Sequence, residues 1–315
     1  MTFSQTLLQT IQTKKTPVLV GLDPRYESLP AVFKSVFGSD TAALDASVAA
    51  SAYKEFCCAV IDIVASLVPA VKPQSAFFEQ FGPFGMTALE SVIRYARKKG
   101  LLVIFDGKRN DIGSTAAAYA AGILGKHSAW GADALTVSPY LGDDSIEPFV
   151  KTATNCNAGV FVLVKTSNPG GAMIQDLLIR DLKSEEYETI YRRIARYVNG
   201  LSLNTIQEKE KYGSVGAVVG ATWAEQLAEL RTVMPNSWFL VPGYGSQGGS
   251  AKSVAAAFDD NGLGAVINNS RGILFSYQKE PYRSRFGEPQ WEKAVEAATL
   301  DMIAELRSET TAGRL

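Results

Sequence analysis

Acidic and basic side chains alternate within residues 105–115, which read FDGKRNDIGST. Asp106 and Lys108 are two positions apart, so they share one face if this segment is a β-strand, and Asp111 follows three positions later. A lysine between two carboxylates stays protonated, because nearby opposite charge favours its charged form. At about 4 Å and an effective dielectric constant of about 20, one such pair is worth roughly 4 kcal/mol before desolvation.

A lysine that stays protonated is suited to some reactions and unsuited to others. It is a poor Schiff-base nucleophile, because that chemistry needs a neutral amine. It is well suited to donate a proton and to stabilise negative charge. We therefore expect Lys108 to serve a reaction that builds a carbanion beside an ammonium group. The alternative interpretation is a surface turn in which Asn110 or Asp111 caps a helix.

Eight short apolar runs are the elements that would position these side chains, and helical patterns separate them. The runs are residues 17–23, 68–72, 101–106, 134–137, 160–165, 215–219, 238–241 and 265–268. Most are apolar almost throughout, as is typical of parallel strands covered by helices. The helical patterns are residues 88–99, 114–130, 185–198, 224–233 and 290–307.

Eight strand–helix repeats predict an α/β protein, a (β/α)8 TIM barrel. We expect a single domain over residues 1–315, with its barrel core at about 17–275 and a C-terminal helix at about 290–307. An extra amphipathic helix precedes strand one, and insertions follow strand one (residues 24–45) and strand five (residues 179–212). A doubly wound open sheet is the rival architecture.

Polar residues gather where the apolar runs end, at Asp23, Lys72, Asp106, Lys165 and Asn268. In a TIM barrel the carboxyl ends of all strands meet at the face that carries the active site. A second feature at that face is a pair of phosphate-binding candidates, because loops seven and eight of such barrels commonly hold phosphate. Residues 241–249 read VPGYGSQGG, whose glycines let backbone N–H groups approach an anion. Residues 268–273 read NNSRGI, in which Arg271 offers a planar fork for phosphate.

The pattern Asp106-x-Lys108-x-x-Asp111-Ile-x-x-Thr115 resembles the signature of the orotidine 5'-phosphate decarboxylases. The fuller string FDGKRNDIGST is similar to the type 2 subgroup, and the resemblance extends over residues 18–273. It implies a lyase that converts orotidine 5'-phosphate to UMP in de novo pyrimidine biosynthesis. It also implies that the enzyme needs no cofactor and no metal.

The resemblance implies a role for each matching residue. Lys72, Asp106 and Lys108 would form the charged network of one protomer, with Lys108 protonating C6 after CO2 leaves. Asp111 and Thr115 would reach into the neighbouring protomer's site, so the resemblance implies a homodimer with shared active sites. The substrate itself would be bound by Asp23 at a ribose hydroxyl, Ser167 at the pyrimidine edge, Gln247 and Arg271 at the phosphate, and by Pro242 and Ser270. Asn168 departs from the histidine that many relatives have after the serine.

Composition excludes several other classes of protein. The net charge is −1, from 31 basic and 32 acidic residues, so no broad basic field can hold nucleic acid. No stretch reaches the roughly 18 apolar residues of a membrane span, and we expect a cytoplasmic protein. No HxH or HExxH motif indicates a metal site, and no GxGxxG follows strand one.

Three rival functions fit parts of the sequence. One is a Mg2+-dependent relative on the same barrel, such as 3-keto-gulonate-phosphate decarboxylase or hexulose-phosphate synthase. Another is a Schiff-base aldolase that uses Lys72, Lys108 or Lys165. The third is a non-catalytic barrel that binds a phosphate ligand, which would keep Arg271 but has no need of the charged network.

Overall fold

Eight parallel strands close into a barrel in which each strand pairs with its neighbours in sequence and the last pairs with the first. The computed structural model describes residues 1–34, 45–180, 186–208, 210–245 and 248–315. The barrel strands are β1 (Val18–Leu22), β2 (Ala70–Pro73), β3 (Leu102–Arg109), β4 (Ala134–Val137), β5 (Gly159–Lys165), β6 (Val215–Val219), β7 (Phe239–Val241) and β8 (Ala265–Asn269). This arrangement confirms the predicted TIM barrel, because an open sheet would leave two strand edges unpaired.

Helices surround the barrel and connect its strands. The longer ones are α1 (Phe3–Lys14), α2 (Ala46–Val64), α3 (Gly82–Lys98), α4 (Gly113–Ile123), α5 (Glu147–Cys156), α6 (Ile190–Leu203), α7 (Ala224–Val233) and α8 (Trp291–Glu309). One-turn helices are Ala31–Lys34, Ala76–Glu79, Ala172–Gln175, Ala251–Val254, Arg271–Leu274 and Tyr282–Arg285. In the ranges that the structure describes, no helix is both long and apolar enough to cross a membrane.

Helix α1 packs against the interior of the barrel. It is the extra N-terminal helix that the sequence predicts. Its side chains Phe3, Leu7 and Ile11 are buried in the same apolar cluster as inward-facing residues of the strands. The ring of Phe3 meets that of Phe161 on β5 edge to face, with centroids 5.9 Å apart. Thr2 caps the helix by accepting a hydrogen bond from the N–H of Gln5. Phe3 also lies directly against Gly159, the first residue of β5, so α1 covers the amino ends of the strands and leaves their carboxyl ends open.

The C-terminal helix α8 belongs to the larger core between the barrel and its outer helices. The ring of Trp291 lies 5.5 Å from that of Phe56 on α2. Phe56 in turn stacks on Phe275, which follows β8, at 5.9 Å. The helix begins one residue after the predicted position 290 and ends two residues beyond 307.

Three predicted helices differ clearly from the structure in their bounds. The helix predicted at residues 88–99 begins earlier, at Gly82, and ends at Lys98. The helix predicted at residues 185–198 begins at Ile190, because residues 187–189 form an antiparallel hairpin with Leu178–Arg180. The predicted insertion 179–212 is therefore this hairpin followed by α6, which packs on β5 and β6 as a barrel helix does. The helix predicted at residues 114–130 ends at Ile123, ahead of Gly125, whose φ is 86°. Residues 35–44 of the first predicted insertion lie outside the described residues.

Candidate active site

A cavity of about 400 Å³ opens at the carboxyl ends of the barrel strands. Every described barrel strand, or the loop that follows it, contributes to its wall. The lining residues are Asp23, Lys72, Gln74, Asp106, Lys108, Thr136, Leu163, Thr166, Ser167, Asn168, Val218, Leu240, Pro242, Gly243, Tyr244, Asn268, Ser270 and Arg271. Its position matches the face at which TIM barrels carry their active sites.

Asp106 is the centre of a charged network in this cavity, and only 6% of its surface is exposed. Its Oδ2 accepts hydrogen bonds from Lys72 Nζ at 2.5 Å and from Gln74 Nε2 at 3.0 Å. Its Oδ1 accepts from Lys108 Nζ at 2.7 Å and from Thr136 Oγ1 at 2.9 Å. Each oxygen therefore accepts from two donors. Two of the four donors, Lys72 and Lys108, carry a positive charge.

The electrostatics of the network keep its buried members ionised. Burial raises the pKa of Asp106, but the ammonium groups of Lys72 and Lys108 more than offset it, and the pKa lies well below its usual value. Burial lowers the pKa of Lys72, but the carboxylates of Asp106 and Asp23 outweigh it, so that pKa is raised. The cavity therefore contains a fixed carboxylate between two ammonium groups.

Lys108 differs from Lys72 in exposure and in backbone conformation. Its side chain is 46% exposed, and its ammonium group reaches Asp106 from the open side of the cavity. Its φ is 44°, in the left-handed region that residues with a Cβ rarely occupy. The expectation that Lys108 lies between two carboxylates of its own chain is not met in the described residues: Asp106 is its ion-pair partner there.

Asp111 and Thr115 lie apart from the cavity. The carboxylate of Asp111 accepts a hydrogen bond from the N–H of Ile112, its neighbour in sequence, at 2.8 Å. Thr115 is exposed on α4 and lines a separate shallow groove together with Arg109 and Tyr119. One chain therefore brings together Lys72, Asp106 and Lys108, but neither of these two residues joins them.

Five of the predicted substrate-binding residues line the cavity: Asp23, Ser167, Pro242, Ser270 and Arg271. The buried Oδ1 of Asp23 has no hydrogen-bond partner in the protein, which leaves one acceptor for a ligand hydroxyl. Gly243, in the loop after β7, has a φ of 98° that only glycine adopts readily. Gln247, in the same loop, lies outside the described residues.

Lys165 is buried behind the cavity and fixes the loop after β5. Its ammonium group forms an ion pair with Asp176 and lies 4.8 Å from the ring centroid of Trp223. The indole N–H of Trp223 donates to the carbonyl of Thr166 at 2.8 Å, and Gln175 accepts a hydrogen bond from the Thr166 N–H at 3.1 Å. The segment that carries Ser167 is therefore fixed by its neighbours.

The sequence analysis gave no site role to several polar residues of the wall, among them Gln74, Thr136 and Asn268. Gln74 directly follows β2, and Asn268, noted only as a strand end, carries a buried Oδ1 without a partner in the protein. Thr136 is the one polar residue of the apolar run ALTV, which is a signal that the strand faces something polar there. The apolar part of the wall comes from Leu163, Val218 and Leu240.

The described part of the chain offers no cluster of ligands for a metal ion. Over the described ranges, no three side chains of His, Cys, Asp or Glu cluster as ligands of an ion would. Independence from metals and cofactors stays a prediction.

Comparison with known proteins identifies the family. The model of the orotidine 5'-phosphate decarboxylase / HUMPS family matches residues 16–282. An orotidine 5'-phosphate decarboxylase of Rhodopirellula baltica is 53% identical over 311 residues, which are 98% of this chain and 99% of that one. One from Caldicellulosiruptor bescii is 38% identical over 88% of this chain and 91% of its own.

Solved structures agree with the sequence comparisons. The OMP decarboxylase of Leishmania donovani superposes with a TM-score of 0.74 and 31% identity, covering 98% of this chain and 99% of its own. The barrel, the charged network at its carboxyl face and these matches over nearly the whole length lead to one conclusion. The chain belongs to the orotidine 5'-phosphate decarboxylase / HUMPS family.

Proposed function

We propose that this chain decarboxylates orotidine 5'-phosphate to UMP in pyrimidine biosynthesis, and that it needs no metal or cofactor. The observation that carries the proposal is the buried, ionised Asp106 held between Lys72 and Lys108 in the cavity. Such an arrangement supplies a protonated lysine at a fixed place, which is what a reaction through a carbanion needs. Relatives with that name align over nearly the whole chain.

In the proposed chemical step, Lys108 is the proton donor. The bond from C6 of the pyrimidine to its carboxylate breaks, CO2 leaves, and the electron pair stays on C6. The ammonium group of Lys108 stabilises that negative charge and transfers one proton from Nζ to C6. A proton from water restores Lys108. Asp106 keeps the ammonium group in place, while Lys72 balances the buried charge of Asp106.

We propose contacts for the rest of the substrate from the residues that line the cavity. Asp23 accepts a hydrogen bond from a ribose hydroxyl, since its buried Oδ1 has no partner in the protein. Ser167 contacts the pyrimidine edge from the loop after β5. The phosphate lies between the glycine-rich loop after β7, with Pro242 and Gln247, and the start of the helix after β8, with Ser270 and Arg271. A guanidinium group suits phosphate, because it presents two parallel N–H donors.

We also propose a homodimer in which the partner supplies Asp111 and Thr115 to this cavity. Asp111 follows Lys108 by three residues, yet in one chain it does not line the cavity. Large apolar side chains are exposed on the same and neighbouring loops and on α4: Ile112, Tyr119, Tyr140 and Leu141. Exposed apolar side chains grouped in this way are typical of a protein–protein interface.

UMP formation from orotidine 5'-phosphate in excess chelator is the direct test. We expect wild-type turnover with the chelator present. Absence of turnover would overturn the proposed function, and turnover that the chelator abolishes would favour the Mg2+-dependent relatives. Trapping of a substrate adduct by borohydride would favour a Schiff-base aldolase. Lys165 is a poor candidate for that chemistry, because its side chain is buried in an ion pair behind the cavity.

Replacing Lys108 by alanine tests the proton donor. We expect kcat to fall by on the order of 10³-fold or more, because both the proton and the positive charge are lost. The fold should persist, since the Lys108 side chain is half exposed and Asp106 keeps Lys72. Unfolding in urea checks this, and Lys151→Ala, at an exposed lysine of α5, is the matched control. Near-normal kcat in Lys108→Ala would contradict the role of Lys108.

A further inference from the structure

We propose that Thr136 is a positioning residue that holds both Lys108 and Asp106 in their reactive geometry. The inference rests on the proposed function, because it assigns the role of Thr136 in that reaction. The pairing of β3 with β4 is irregular beside this residue. Strand β3 pairs Phe105 with Leu135 and Arg109 with Val137, so residues 106–108 lie opposite the single residue Thr136.

A bulge of this kind removes the regular backbone hydrogen bonds of the extra residues. The N–H of Lys108 is one of the groups affected, and Thr136 Oγ1 accepts its hydrogen bond at 2.9 Å. A side-chain hydroxyl thus replaces the carbonyl that a regular strand would offer. The replacement matters because Lys108 has a φ of 44°, which is unfavourable for a residue with a Cβ.

The same hydroxyl also acts on the carboxylate. Thr136 Oγ1 donates to Oδ1 of Asp106 at 2.9 Å, and that oxygen accepts from Lys108 Nζ at 2.7 Å. The contacts form a closed ring from the Lys108 N–H through Thr136 and Asp106 back to the Lys108 ammonium group. Thr136 is 1% exposed, so water does not compete for its hydroxyl.

The remaining partners of Asp106 cannot take over this role. Lys72 and Gln74 both donate to Oδ2, the other oxygen. Without the Thr136 hydroxyl, Asp106 stays ionised beside Lys72. Oδ1 of Asp106 and the backbone N–H of Lys108 then lose the hydrogen-bond partner that they share. We therefore expect the loss to affect the chemical step more than the binding of substrate.

Two substitutions separate the hydroxyl from the shape of the side chain. Thr136→Val keeps the shape and removes both hydrogen bonds, whereas Thr136→Ser keeps the hydroxyl and removes one methyl group. We expect Thr136→Val to lower kcat about 10- to 100-fold, as loss of a hydrogen bond in a charged network does, with KM within about twofold of wild type. Thr136→Ser should retain kcat within about fivefold.

A crystal structure of Thr136→Val gives a second readout that does not depend on turnover. We expect Lys108 to leave the left-handed region and its Nζ to move away from Oδ1 of Asp106. An unchanged Lys108 in that structure would overturn the inference. Unchanged kcat would do so too, as would a rise in KM alone, which would make Thr136 a substrate-binding residue. Equal defects in both variants would assign the role to the methyl group instead.

These results are distinct from a failure of the proposed function. If the wild-type protein forms no UMP, the decarboxylase proposal falls, while the structure of Thr136→Val still decides whether Thr136 positions Lys108.

Discussion

Asp106 is a buried charge at the centre of the site, and its neighbours must replace its hydration. A carboxylate that is 6% exposed must recover its hydration through its neighbours, and here four side chains provide that recovery. Lys72, 4% exposed, is equally dependent on Asp106. Removing either partner of such a buried pair leaves the other without compensation, which costs more than the intact pair contributes.

The pH dependence of stability follows from the lowered pKa of Asp106. A carboxyl group whose pKa is lower in the folded than in the unfolded chain stabilises the fold above its unfolded value, about 3.9. That stabilisation is lost as the pH falls through the lower folded value. We expect Asp106→Asn to be less stable by about 3–5 kcal/mol at pH 7, because Lys72 loses its partner.

Unfolding in urea at a series of pH values measures this difference between wild type and Asp106→Asn. It should stay constant from neutral pH down to about pH 4 and shrink only below it. Asp144→Asn, at an exposed carboxylate, is the matched control and should show a difference near zero. A difference for Asp106→Asn that stays constant or grows as the pH falls below 4 would mean that the pKa of Asp106 is not lowered in the folded chain.

At the scale of elements, the sequence predicts the strands well because their environment is uniform. Parallel strands covered by helices are apolar on both faces, so all eight appear as short apolar runs. The bulge of β3 opposite Thr136 is invisible in the sequence, because register depends on the neighbouring strand. The second strand of the hairpin before α6, residues 187–189, falls inside the helix predicted at 185–198, because its pairing with Leu178–Arg180 leaves no mark in the local periodicity.

In the candidate site, too, the sequence predicts the residues whose place follows from the fold and misses those whose role depends on individual contacts. Residues at strand ends, such as Lys72 and Asp106, could be predicted because every barrel brings those ends together. Gln74 and Thr136 were missed, because their roles depend on which oxygen of Asp106 each one contacts.

Helix α1 makes a prediction about stability that is independent of the site. Leu7 is fully buried in the barrel interior, so Leu7→Ala should cost about 2–5 kcal/mol of unfolding free energy. Because α1 does not contribute to the cavity wall, kcat/KM should stay within about twofold of wild type below the new melting temperature. Gln9→Ala, at an exposed position of the same helix, is the control for helix propensity. A large loss of kcat/KM in Leu7→Ala would show that α1 and the site are coupled.

At the scale of the whole molecule, the net charge is close to zero, but positive charge is concentrated in the cavity. The chain is nearly neutral, yet its cavity brings Lys72, Lys108 and Arg271 together with only two described carboxylates, Asp23 and Asp106. An anionic substrate is therefore attracted to the cavity and not to the surface in general. We infer that the chain is one domain, because α1 and α8, at its two ends, both pack into the cores of the barrel.

The proposed dimer makes a quantitative prediction about mixed chains. If each site combines Lys108 of one chain with Asp111 of the other, Lys108→Ala and Asp111→Ala chains are each inactive alone. A hybrid of the two carries both substitutions in one site and neither in the other. Equal amounts, unfolded together and refolded, should therefore regain about a quarter of wild-type activity, because half of the twofold-symmetric dimers are hybrids.

The control for chain exchange is a mixture of the two variants that were refolded separately and combined only briefly before the assay. This mixture should stay inactive. If Asp111 served the site of its own chain, every site in the hybrid would carry one substitution, and co-refolding would restore nothing. Recovery near a quarter would instead place Asp111 across the interface. It would also explain why a residue three positions from Lys108 does not line the cavity of a single chain.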